Sequence, residues 1–112
     1  MVELMPGSGV FVFVQDIEEC KKAKTVICGT PQHGWRMAKL FMNKFWSREE
    51  FVGSSLANTP GKRALDQRTT SAIKGFCVQP TTATYGQIRQ AMASKLTSAT
   101  VKDRLKRTET TM

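Results

Sequence analysis

The stretch Thr30-Pro31-Gln32-His33-Gly34-Trp35-Arg36-Met37-Ala38-Lys39-Leu40-Phe41-Met42-Asn43-Lys44-Phe45-Trp46 (residues 30–46) decides the fold class. Thr30 is a good N-cap, because its hydroxyl can accept from an amide of the first turn. Pro31 stands at the first helical position, where its missing N–H is no loss. Ala38, Phe41, Met42 and Phe45 fall at i, i+3, i+4 and i+7, which makes one apolar stripe for a core. Arg36, Lys39 and Asn43 lie off the stripe, and Gly34 weakens the first turn towards fraying. The spacing therefore predicts an amphipathic helix over residues 31–46.

Downstream, Ser47-Arg48-Glu49-Glu50 is a capping box with Trp46 and Phe51 at the staple positions. It opens a second helix expected to end near Leu56, ahead of the turn chemistry of Asn58-Thr59-Pro60-Gly61. Asp66 can cap a third helix with Thr69, Ala72, Ile73, Phe76 and Cys77 on one face, stopped by Pro80. Thr84-Tyr85-Gly86-Gln87 is another capping box, opening a helix with Ile88, Ala91, Met92 and Leu96 inward and Arg89, Gln90, Ser94 and Lys95 outward. Beyond Ser98 that helix either runs on or is followed by a last short one capped by Thr100. Upstream, Asp16 offers a cap for a turn or two through Ile17 and Cys20. Val10-Phe11-Val12-Phe13-Val14 is β-branched and aromatic, and with Val2-Glu3-Leu4 across Pro6-Gly7-Ser8-Gly9 it suggests a hairpin or an extended flap. The expected fold is mainly α: a compact bundle of four to five short helices with a short N-terminal β-like hairpin or flap.

A chain of 112 residues, 40% apolar, would bury roughly two-thirds of its extended surface. That supports one core and a single domain over residues 1–112, of the kind that can be cut from a longer protein. Seventeen Lys and Arg face nine Asp and Glu, a net +8. Residues 1–20 carry Glu3, Asp16, Glu18 and Glu19 and no base, so everything from Lys21 onward is strongly cationic. Such a body attracts a polyanion. No apolar run reaches the ~18 residues of a membrane span, and the opening residues make a poor signal peptide. Three cysteines are too few for a disulfide scaffold.

Catalysis finds little support in the residues. Cys20, Cys28 and Cys77 lack metal-ligand spacing, and the one histidine, His33, opens a helix. A Cys77–His33 dyad is conceivable, but the ordinary reading makes Cys77 a core residue and His33 a surface one. No enzyme, cofactor or metal is expected. Phe41, Phe45, Phe51 and Phe76 sit on core stripes and leave Tyr85 as the ring expected to be exposed, too few for a single-strand stacking platform. Duplex binding fits better. Arg89, Lys95, Lys102, Arg104, Lys106 and Arg107 crowd the C-terminal segment, and Gln87, Arg89 and Gln90 can read base edges. Lys62 and Arg63, beside Pro60-Gly61, are placed to grip phosphates, and the amino end of the last helix offers free amides.

Read in order, these pieces resemble a BEN domain. The match begins at Phe45-Trp46-Ser47-Arg48-Glu49-Glu50 and continues through Ser54-Ser55-Leu56 and Lys62-Arg63-Ala64-Leu65-Asp66, which opens a helix with Ile73. It closes with Ile88-Arg89-Gln90-Ala91-Met92, Lys95-Leu96 and the basic residues 102–107, and spans about residues 10–107. One departure is Ala57 where the family usually has glycine, and the loop to Lys62 is also short. The resemblance implies a helical, nuclear, chromatin-associated domain that binds double-stranded DNA, often in repression, in some members through protein contacts instead. It implies a DNA face of Lys62, Arg63, Gln87, Arg89, Gln90, Lys95, Lys102, Arg104, Lys106 and Arg107. The partners implied are DNA, corepressor or chromatin proteins, and a second copy of the chain on DNA, with no membrane. The competing class is a protein-interaction module, corepressor-recruiting or self-associating, with only weak nonspecific DNA affinity.

Overall fold

The computed structural model describes residues 1–22, 26–56 and 60–110, the last five by backbone alone. Strand β1 (Val2–Glu3) pairs antiparallel with β2 (Phe11–Val12), Val2 opposite Val12. The expected hairpin is formed, and its turn is held by Glu3. The Glu3 carboxylate accepts from the Gly7 N–H at 3.0 Å and the Gly9 N–H at 2.9 Å. Both glycines have positive φ, which a side chain would resist.

Helix α1 (Val14–Lys21) begins ahead of Asp16. The Phe13 carbonyl accepts from the amides of Asp16 and Ile17, so the chain turns directly from strand to helix without a side-chain cap. Asp16 instead lies in the first turn, where its charge favours the helix dipole. Helix α2 (Pro31–Phe45) starts as expected, with the Thr30 hydroxyl accepting from the His33 N–H. In α3 (Arg48–Phe51) both halves of the capping box are made. This helix stops short of Leu56 because Gly53 takes a φ of 72° and the Ser54 hydroxyl donates to the Glu50 carbonyl. Ser54–Ser55 then becomes β3, paired parallel with β4 (Arg63–Ala64), a ladder that periodicity did not announce.

Helix α4 (Gln67–Val78) is capped by Asp66, which accepts from the Thr69 N–H at 3.1 Å and the Thr69 hydroxyl at 2.7 Å. Helix α5 (Tyr85–Thr110) runs without a break. Thr100 caps nothing: its hydroxyl donates to the Leu96 carbonyl and accepts from the Gly53 N–H, tying α5 to the turn after α3. Among the described residues, five helices and an N-terminal antiparallel hairpin make a mainly helical globule.

The core gathers Met37, Ala38, Phe41 and Met42 of α2 with Ile73 and Cys77 of α4 and Ile88, Met92 and Leu96 of α5. Phe41 meets Phe76 edge-on at 5.3 Å between ring centres. Two residues of the first α2 turn differ from expectation. His33 is buried rather than on the surface. Its Nδ1 accepts from the Gly29 N–H at 3.0 Å, so the proton sits on Nε2 and is donated to the Lys21 carbonyl at 2.7 Å. Both ring nitrogens are thus spent on backbone.

Gly34 is not a loose end but is buried against the α4–α5 connection and the first turn of α5. A Cβ there would lie 2.7 Å from Thr81 Oγ1, 2.9 Å from Ala83 Cβ and 3.0 Å from Ile88 Cδ1. Gly34→Ala gains about 1 kcal/mol of helix propensity but overpacks a site whose neighbours are short side chains, at about 1–3 kcal/mol. A net loss of about 1 kcal/mol in urea unfolding is expected; unchanged or raised stability would show that the two helices can move apart freely.

Candidate nucleic-acid interface

Residues of an α-helix advance about 100° each around its axis. On α5, Ile88, Met92 and Leu96 are buried and mark the side turned to the core. Directly opposite runs an exposed ridge of Gln90, Ser94, Thr97, Val101 and Leu105, with no charge on it. Cations border the ridge on both sides. On one side Arg89 and Arg104 line a cleft of about 360 Å³ together with Lys62, Ser55, Leu56 and Thr97. On the other, Lys95 and Lys102 line a cleft of about 320 Å³ with Arg48 of α3 and Asn43 of α2. The two pairs of cations on α5 lie about half a turn apart.

The single cationic face expected from the sequence is therefore two flanks with a neutral ridge between them. The structure brings Lys62, Arg89 and Arg104 together, and Lys95 with Lys102. Gln90 stands on the ridge. Arg63 is exposed on β4, close enough to Glu50 that its charge helps hold that carboxyl below the usual range, behind the larger effect of the Ser47 N–H and hydroxyl. Gln87 is a cap: its Oε1 accepts from the Thr84 N–H at 2.9 Å, while the Gln87 N–H donates to Thr84 Oγ1 at 3.2 Å. The same exchange removes one of the free amides at the amino end of α5. The side chains of Lys106 and Arg107 lie outside the described residues.

Two further cations stand here whose place the sequence does not signal: Lys39, a residue off the α2 stripe, and Arg48, a member of a capping box. Both stand near enough to Lys95 to bear on its charge. The Lys95 amine lies 5.2 Å above the centre of the Phe51 ring. Its burial there pushes its pKa below that of an ordinary lysine, and the charges of Lys39, Lys102 and Arg48 push the same way. Among the described residues, no carboxylate lies within ion-pair distance of Lys62, Arg89, Lys95 or Lys102. The acidic N-terminal segment engages Lys44 instead, through Glu19 at 2.9 Å and Asp16 at 3.6 Å.

Tyr85 is exposed as expected, with the Lys74 amine 4.9 Å from its ring centre. Phe11 and Phe13 are exposed as well, and this the alternation of residues 10–13 could have told: Val10 and Val12 point inward, so the rings between and beyond them point out. Burial pushes the Cys20 thiol up to about 11 and the Cys77 thiol higher still. Among the described residues, no cluster of three His, Cys, Asp or Glu could hold a metal, and no helix is long and apolar enough to cross a membrane. Comparisons with protein-family models, curated proteins and solved structures yield no match to this chain.

Lys95→Met keeps apolar contact with Phe51 and removes one of four neighbouring cations. Its melting temperature at neutral pH and low salt should exceed that of the parent chain, by a margin that shrinks as salt rises. A fall of several degrees would mean that the attraction of the ammonium for the ring outweighs the crowding of charge.

Proposed function

We propose that this chain is a double-stranded DNA-binding domain of a nuclear transcriptional regulator, of the repressing kind, which lays α5 in the major groove. The observation that carries the reading is the order of residues around α5: cations, uncharged ridge, cations. A helix with its side chains is about 10–12 Å across, and the major groove is about 12 Å wide. With the ridge pointing into the groove, both cationic flanks meet the phosphate walls. Lysine and arginine contacts then set affinity and register, while Gln90, able to pair with adenine, and Val101, able to meet a thymine methyl, supply base preference. The nuclear and repressive parts of the proposal rest on the resemblance to BEN domains.

A second reading, a module that recruits a corepressor or another copy of itself, is favoured by the exposed Phe11 and Phe13. A gel shift at moderate salt with excess nonspecific competitor separates the two, because a module for proteins alone leaves no retained band.

If about five phosphates are neutralised, log affinity should fall against log salt with a slope of about −4 to −5, and Lys62→Ala should lower that slope by about 1 on every sequence. A flat salt response would reject the electrostatic footprint. Gln90→Ala should change the motif selected from a random duplex pool more than it changes overall affinity. An unaltered motif would remove Gln90 from base reading.

A further inference from the structure

We propose that Arg48, Lys95 and Lys102, with Lys39 within electrostatic reach, form a second phosphodiester-binding cleft, which holds the strand opposite to the one gripped by Lys62, Arg89 and Arg104 on the same duplex. The inference rests on the DNA-binding reading and adds residues from α2 and α3 that sequence alone did not bring to the site.

Three observations carry it. First, two helices, α3 and α5, deliver cations to one cleft, and a third, α2, brings another within electrostatic reach. Arg48, Lys95 and Lys102 line the cleft, and Lys39 acts on Lys95 from α2. Among the described residues no carboxylate pairs with Lys95 or Lys102, and the nearby Glu50 is turned into its own cap, accepting from the Ser47 N–H at 3.0 Å. Like charges gathered without a counter-charge repel in the free protein, and an anion among them removes that repulsion. Second, the cleft is partly pre-formed. Lys95 is half-buried against Phe51, so less side-chain freedom is lost on binding. Asn43 and Ser98 line the same cleft and offer neutral donors to phosphoryl oxygens.

Third, the two clefts border one ridge. They are separated by the width of a single helix, which matches the spacing of the two walls of a major groove. The two strands that border one major groove meet that spacing.

The test uses the full chain and a duplex of about 20 base pairs. Lys39→Gln/Arg48→Gln alters two exposed side chains, and Lys62→Gln/Arg89→Gln is its counterpart on the other flank; circular dichroism checks that both variants fold. Each double variant should lose affinity on the order of tenfold at moderate salt and lower the salt slope by about 2, with binding still one to one. Neutral methylphosphonate linkages placed in one strand at a time should become silent for one variant on one strand, and for the other variant on the opposite strand.

Several results would overturn the proposal. If Lys39→Gln/Arg48→Gln keeps the parent slope while Lys62→Gln/Arg89→Gln does not, the second cleft falls and DNA binding stands. If both variants become insensitive to the same strand, the assignment to opposite strands falls. If the first variant loses only the capture of a second duplex, the cleft bridges two molecules of DNA. If the parent chain binds no duplex at low salt, the functional reading falls along with the cleft.

Discussion

The close approach of α2 to the start of α5, made possible by the missing side chain at Gly34, is the constraint on which the rest of the molecule depends. Thr81, Ala83 and Ile88 converge on that point. The Thr81 hydroxyl donates to the Cys77 carbonyl and accepts from the Ala83 N–H, which fixes the connection between α4 and α5. With Ile88, Met92 and Leu96 locked into the core, the rotation of α5 about its own axis is set. A shift of one residue would turn it by about 100°, carrying one cationic flank inward and swinging the neutral ridge to the side of the helix. The pattern that faces solvent is therefore dictated by apolar packing and not by the charges themselves.

Much of the helical framework could be read from local chemistry. The caps at Thr30, Ser47, Asp66 and Thr84 each bind the amide expected of them, because a cap is a contact between neighbours in sequence. What escaped depends on contacts between distant residues. Nothing near His33 signals that Gly29 and Lys21 will claim its two nitrogens. Nothing in Ser54-Ser55 announces a partner at Arg63-Ala64. Gly34 reads locally as a weak point and acts globally as a space-saver. The candidate site was legible in composition but not in arrangement. Counting cations in the last quarter of the chain found Arg89, Lys95, Lys102 and Arg104, yet only the helix axis divides them into two flanks. Lys39 and Arg48 belong to other elements and enter only once the fold has closed.

Charge is distributed so that the acidic residues of the first segment do not quench the cations of α5. Glu3 is consumed in holding its own turn, and Asp16 and Glu19 meet Lys44. Lys95 shows the opposite treatment, half-buried on a ring among cations that all disfavour its charge. Under the proposed function, a bound anion would relieve this repulsion.

The uninterrupted course of α5 carries a geometric consequence of its own. Its 26 residues span about 39 Å, longer than the roughly 34 Å in which B-form DNA completes one revolution. A groove that winds around its axis curves away from a straight rod well before the rod ends. In the complex proposed above, only part of the helix would therefore lie deep at any one time, and the segment from Gln90 to Val101, flanked on both sides by cations, would be that part. The carboxyl-terminal turns would then rise out of the groove, so that the length of α5 itself limits how much of it one duplex could cover.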